Sequence, residues 1–259
     1  MNPRLRLLLT VVAAVQAVLS IGFTMQVPAI TGLWPFPGTT ALSFTFIASI
    51  FGAAAASTLW CVWINDPASV AGVALDYVVI FAPAVLFALA VNSAEANTIP
   101  FAIASVVSVA FGVWLLTQSW GKRYRDLDPT PRPILIAFVV FVGALIIAGG
   151  ALVLKTPGIM PWQITPDLSV LFGAMFLGAA VYFAYGLYKR YWSNAGGQLA
   201  GFLVYDLFLI VPFFQRFGTI SDTLRVSLTI YTAVVTLSAL LALYYLFIHG
   251  PTRILRPTR

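Results

Sequence analysis

The chain has 259 residues, 61% of them apolar and only 8% charged, with a mean hydropathy of +0.96. A soluble domain carries roughly 25% charged residues, so this composition excludes a water-soluble globular protein. The net charge of +6 and pI near 9.7 are not a nucleic-acid signal either, because in a membrane protein excess Lys and Arg record topology.

Apolar runs of roughly 18 to 25 residues suit a hydrocarbon core about 30 Å thick. In chain order they predict spans near 6–26, 41–63, 69–92, 99–119, 133–154, 168–189, 197–215 and 225–248. The first follows Arg4 and Arg6 and has the outline of a signal peptide. Its counterpart at 133–154 is an internal span, so it is read as a span too.

The loop before the second span reads Gly-Leu-Trp-Pro-Phe-Pro-Gly-Thr-Thr at 32–40, with prolines to stiffen it and Trp34 and Phe36 at headgroup depth. The second span then carries small residues four apart, Ala48, Gly52 and Ala56, a spacing that lets helix backbones approach closely. Cys61 is the single cysteine, so no intrachain disulfide forms, and it reads as an inert apolar filler. The third span holds Asp76, Tyr77 and Pro83. After the fourth, the stretch 120–132 is rich in charge and proline, as a linker is.

The second half repeats this plan. Shifted by 126 positions, residues 2–54 fall on 128–180 without a gap, and 16 of those 53 positions are identical. Gly32 and Pro35 meet Gly158 and Pro161. Thr39, Ser43, Phe46, Ala48 and Gly52 meet Thr165, Ser169, Phe172, Ala174 and Gly178. Thr165 reads as an N-cap, with Pro166 at the first helical position and Asp167 in the first turn. A further shift of three residues aligns the third spans, Gly72 on Gly201 and Pro83 on Pro212. Tyr182, Tyr185, Tyr188, Tyr191 and Trp192 read as an aromatic ridge at the end of the sixth span, with a docking surface as the alternative.

The expected fold is an all-α polytopic bundle of about eight transmembrane helices. Its domains are a four-helix repeat at 1–120, a linker at 121–132 and a second repeat at 133–259. Each half has an even number of spans, so the halves are expected to be parallel, related by a pseudo-twofold axis along the membrane normal. Eleven of the fourteen Lys and Arg residues then fall on the side of the termini, leaving Lys155, Arg216 and Arg225 opposite. The positive-inside bias places both termini in the cytoplasm, and the protein in a cytoplasmic (inner) membrane. The tightest contacts are expected at Ala48, Gly52, Ala174 and Gly178, with kinks at Pro83 and Pro212.

A Trp-Pro-aromatic loop ahead of a small-residue span resembles that of uncharacterised multi-span proteins of bacterial membranes. The resemblance covers 32–60 and its echo at 158–185. It implies a membrane protein and no particular activity.

Asp76 and Asp206 are the acidic residues inside spans, each beside a tyrosine, Tyr77 and Tyr205. A central Asp costs around 2.5–3.5 kcal/mol on insertion scales, so both call for an explanation. One is a proton or cation relay between the halves. The other is hydrogen bonding that joins helices through Tyr, Ser or Gln198 partners. Scattered polar groups at Gln16, Asn92, Ser105, Ser108 and Thr229 form no continuous stripe.

His249 is the single histidine, and the lysines lie at helix ends or in loops. These exclude a bis-histidine haem and a retinal Schiff base, and no catalytic residue set or metal ligand set is found. A single pigment or lipid ligand stays open, and membrane lipids together with protein subunits or further copies of the same chain are the expected partners, with no nucleic acid. The sequence favours a non-catalytic accessory subunit of a larger membrane complex. The alternative is a small proton- or cation-coupled transporter using Asp76 and Asp206.

Overall fold

A computed structural model describes residues 1–36, 38, 40–91 and 98–254. Thr39, Asn92 and the tail residues Arg256 and Arg259 lie outside the described residues. Within them the chain is all helical. In order come α1 (Pro3–Thr24), the one-turn α2 (Pro28–Thr31), α3 (Ala41–Ile64), α4 (Val70–Ala90) and α5 (Ile99–Ser119), then α6 (Arg132–Val153), α7 (Pro166–Tyr188), α8 (Trp192–Arg216) and α9 (Asp222–Leu243), which ends in a π-helical turn at Tyr244–Ile248. All but α2 are long and apolar enough to cross a membrane, eight in number among the described residues.

Local chemistry sets the helix ends. Asn2 accepts from the Arg4 backbone N–H at 3.0 Å, with Pro3 in the first turn. Thr165 accepts from Leu168 N–H at 3.2 Å ahead of Pro166 and Asp167. Helix α3 stops at Asn65, whose φ of 54° is left-handed, a conformation that Asn tolerates and that ends helices. Pro83 and Pro212 both lie inside continuous helices, α4 and α8. The largest departure from the expected boundaries is α8, which begins at Trp192 rather than near 197. Its first turns are polar and small, yet they are buried: Gly196 and Gly197 lie against the Trp60 indole, and Trp60 Nε1 donates to Ser193 O at 2.8 Å.

Loop contacts define two faces. On one, Asp66 is buried and its carboxylate accepts from Ala68 N–H at 2.9 Å and Arg125 N–H at 3.0 Å. The Arg125 guanidinium and the Met1 amine both donate to Asn65 O. The 120–131 stretch is tied to the α7–α8 turn by Thr130 N–H to Arg190 O and Trp192 N–H to Asp128 O, at 2.9 and 2.8 Å. Tyr124 from this stretch is buried, 3.2 Å from the Tyr185 hydroxyl, and burial first, then that neighbour, raise its phenol above the ordinary tyrosine range. On the other face, Arg216 Nε donates to Pro161 O at 3.0 Å and Trp162 Nε1 to Ser43 Oγ at 3.0 Å. Trp34, Phe36 and Trp162 turn inward here, with Trp162 only 1% exposed. Trp162 packs on Phe46 and Phe172, so the loop aromatics close the core rather than form an outward belt.

The aromatic ridge expected at 182–192 also divides. Tyr182, Tyr185 and Trp192 are buried, whereas Tyr188 is exposed. Steps of three residues turn about 300° around a helix, so the row drifts off the face on which it begins.

Helix pairing follows a crossed pattern. α1 packs on α3 and α6 on α7, α4 packs on α5 and α8 on α9, and then α3 packs on α8 while α4 packs on α7. Sequence neighbours α3 and α4 touch little, as do α7 and α8. Helices α6 and α7 approach each other closely, backbone to backbone. A Cβ on Gly173 would lie 2.7 Å from Gly149 O and 2.8 Å from Val153 N. Backbone cannot yield as a side-chain tip can, so Gly173→Ala is expected to cost about 1–3 kcal/mol of overpacking. At Gly143 an added methyl would meet nothing within 4 Å. That position is the control, and Gly143→Ala should be neutral or slightly stabilising, since alanine favours a helix interior over glycine. Detergent-solubilised thermal unfolding of the two variants tests this, and equal melting temperatures would remove the close approach.

Candidate functional site

The middle of the bundle is built by α3, α4, α7 and α8. Phe46 of α3 and Phe172 of α7 meet at its centre, with ring centroids 4.4 Å apart. Around them Phe176 and Tyr205 pack on Phe46 at 5.7 and 5.9 Å. Of the small residues singled out in sequence, Ala48 and Ala174 are fully buried, and Ala48 O accepts from Ser20 Oγ of α1 at 2.7 Å. Gly52 faces Val204 and Phe208 of α8 together with Ser20 of α1. Gly178 faces Asp76 and Ile80 of α4. Each second span therefore uses its glycine against the third span of the opposite half, not against the other second span.

Two apolar clefts open on either side of this centre. The first, about 400 Å³, lies between α6 and α9, and its floor is made by α3, α4, α7 and α8. Exposed Ile147, Ile230 and Val234 line its mouth, so it opens sideways. Its polar lining is Ser57, Asp76, Tyr182, Gln198, Tyr205, Ser227 and Tyr231. The second, about 490 Å³, lies between α1 and α5, with exposed Val11, Val15 and Val107 in its lining. It contains Gln16, Asp76, Tyr77 and Ser108. Ile50, Ala54, Asp76, Ile80 and Met175 line both. Asp76 is thus part of the wall that the two clefts share.

The four intramembrane polar residues do not assemble into one site. Asp76 Oδ1 is buried without a hydrogen-bond partner among the described residues. Tyr77, one position on, points toward α1 and α5. Its hydroxyl accepts from Gln16 Nε2, and its ring meets Phe111 edge-on at 6.0 Å. Tyr205 is buried against Phe46 and stacks on Phe202 at 5.7 Å. Asp206 is fully buried and turned toward α9, where its Oδ2 lies 2.7 Å from Ser238 Oγ. It lines neither cleft. Gln198, considered in sequence as a partner for an Asp, instead donates through Nε2 to Tyr182 O.

The sequence places Tyr182 in the aromatic ridge but not on an inner wall, and singles out neither Asp66 nor the Gly149–Gly173 approach. The lysine- and arginine-rich stretch at 120–132 drew attention to the linker but not to the acidic loop that receives it. Tyr182 packs against Gly72 of α4, where an added Cβ would lie 2.7 Å from the Tyr182 ring.

No family model, curated protein or solved structure matches the chain. Among the described residues, fold and site together give an all-helical chain with eight helices long and apolar enough to cross a membrane, as in an integral membrane protein, and with apolar clefts that open sideways between them.

Ser238 has one hydroxyl proton and two acceptors at 2.7 Å, Val234 O and Asp206 Oδ2. A side-chain donor at 206 relieves this competition, so Asp206→Asn is expected to fold with little change. Asp206→Leu loses the bond that joins α8 to α9 and should be destabilised by about 1 kcal/mol. Thermal unfolding of both variants in detergent decides the matter, and a less stable Asn variant than Leu variant would rule out the bond as the reason for the residue.

Proposed function

We propose that this chain is a non-catalytic integral membrane protein that acts as a small permease, binding its ligand at Asp76 between two parallel four-helix repeats. The repeats are 1–120 and 133–259, joined by the 121–132 linker, with both termini cytoplasmic. One observation carries the reading: two laterally open clefts meet at a shared wall that contains an unpartnered carboxylate. In parallel-repeat transporters the site lies where the repeats meet, and an intramembrane ionisable residue is a functional hypothesis by default.

The parallel repeat is supported by reciprocal helix pairing. If α1, α3, α4 and α5 correspond to α6, α7, α8 and α9, each pairing in the first half has its partner in the second, and the α3–α8 contact corresponds to α7–α4. Phe46 and Phe172, aligned in sequence, touch each other as residues beside a twofold axis do. Cytoplasmic termini are supported by the face that gathers Arg4, Arg6, Lys122, Arg123, Arg125, Lys189 and Arg190. Asp206, held by Ser238 and away from both clefts, serves structure in this reading, and Asp76 alone serves the ligand.

The second reading is an accessory subunit of a larger membrane complex. Trp63, Trp120 and Tyr188 favour it, since all three are exposed at helix ends on the basic face and the clefts give no account of them. Purification in mild detergent followed by native mass spectrometry separates the two. The permease reading expects a chain alone or as a homo-oligomer that carries a small non-protein mass, lost on Asp76→Asn and kept on Asp206→Asn. A protein partner at fixed stoichiometry, with no mass dependent on Asp76, would establish the subunit reading in its place.

A further inference from the structure

We infer that the cleft between α6 and α9 holds a single-chain cationic amphiphile, with its alkyl chain between the two helices and its ammonium head at Asp76; this rests on the permease reading and names its ligand class. The cleft is almost wholly apolar, and its volume of about 400 Å³ lies within the roughly 300–1,000 Å³ usual for small-molecule sites. Its mouth is open to lipid at Ile147, Ile230 and Val234, so a ligand dissolved in the bilayer enters without crossing a polar surface. Along α8 the lining runs from Gln198 to Tyr205, and along α9 from Ser227 to Val235, about 10 and 12 Å at 1.5 Å per residue. An alkyl chain laid along the helices fits this run of lining.

The choice of head follows from the donor and acceptor inventory. The buried atoms without partners in this lining are acceptors, Asp76 Oδ1 and Gln198 Oε1. Among the described residues neither cleft is lined by Lys, Arg or His, so no side chain supplies the countercharge to Asp76. A ligand ammonium at Asp76 provides both the charge and a donor to Oδ1, while Gln198 Oε1 lies against Gly186, about 12 Å further along α7 than Gly178, and is outside its reach. A carboxylate or phosphate head would meet Asp76 with like charge and bring acceptors to acceptors. The α1–α5 cleft also reaches Asp76 and holds a buried acceptor without a partner, Gln16 Oε1, so labelling on α6 and α9 rather than on α1 and α5 is what assigns the ligand to the first cleft.

Photo-crosslinking in phosphatidylcholine nanodiscs tests the assignment. The probes are a twelve-carbon primary amine with a diazirine near the chain end, and the alcohol and carboxylate of the same chain. The amine is expected to label α6 and α9 lining residues at least tenfold more than either counterpart. Asp76→Asn should abolish that preference, and Asp206→Asn should retain it. Ala144→Trp, which fills the exposed mouth without entering the core, should lower labelling by all three probes. Each variant is first checked for monodisperse elution. Equal labelling by amine and alcohol, or an amine preference that survives Asp76→Asn, overturns the assignment. If the amine fails while native mass spectrometry still finds an Asp76-dependent small mass, the ligand class falls and the permease reading stands. If both fail, the permease reading falls with it.

Discussion

Crossed packing of α3 on α8 and of α4 on α7 is what holds the bundle together. In a bilayer, lipid is as apolar as a leucine side chain, so helices associate by close packing and hydrogen bonding rather than by escape from water. Glycines provide the approach: Gly52 toward Val204 and Phe208, Gly178 toward Asp76 and Ile80, Gly72 toward the Tyr182 ring, Gly201 toward Ser57. Hydrogen bonds run across the α3–α8 seam, from Ser57 to Gly197 O and from Trp60 to Ser193 O. Because each half packs its second span on the other half's third, neither half can leave without breaking both seams. The outer helices α1, α5, α6 and α9 are held from one side only, and the clefts are the gaps left between them.

Much of this architecture could be read from the chain because the membrane imposes it. Eight apolar runs met the length requirement of a bilayer, and Thr165–Pro166–Asp167 announced the start of α7 through capping chemistry alone. What hydropathy could not see was the polar opening of α8. Ser193, Asn194, Gly196 and Gly197 look like a loop, yet they form helix because Trp60 covers them and accepts them as neighbours. Small-residue spacing located Gly52 and Gly178 but did not name their partners, since spacing describes one helix face and contact requires two. The close backbone approach of Gly149 and Gly173 escaped because α6 is so uniformly apolar that its glycines have no contrast.

The candidate site shows the same division between what a pattern reveals and what packing decides. Self-comparison brought out Asp76 and Asp206 as near-equivalents offset by one position, and one position is about 100° of rotation. That offset separates their environments. Asp76 turns to the shared wall of the clefts and meets α7, whereas Asp206 turns to α9 and meets Ser238. The aligned positions are instead Asp76 with Tyr205 and Tyr77 with Asp206, each pair matched in place and unlike in chemistry. Had the two carboxylates been judged by depth alone, they would have been assigned a common role.

On the repeat reading this difference bears directly on how many ligands the protein takes. A duplicated scaffold begins with two copies of every interior position and hence with two equivalent sites. Here one copy of the wall position is a carboxylate without a partner and the other is Tyr205, stacked on Phe202 and edge-on to Phe46. The tyrosine ring occupies space and adds apolar surface at the place where the aspartate leaves an acceptor exposed. Both clefts reach the same carboxylate, so occupation of one by a charged head removes the electrostatic attraction available to the other. On the permease reading, two openings with one charge between them would form a single site approached from two sides of the bundle, and the asymmetry of the third spans is what would make it single.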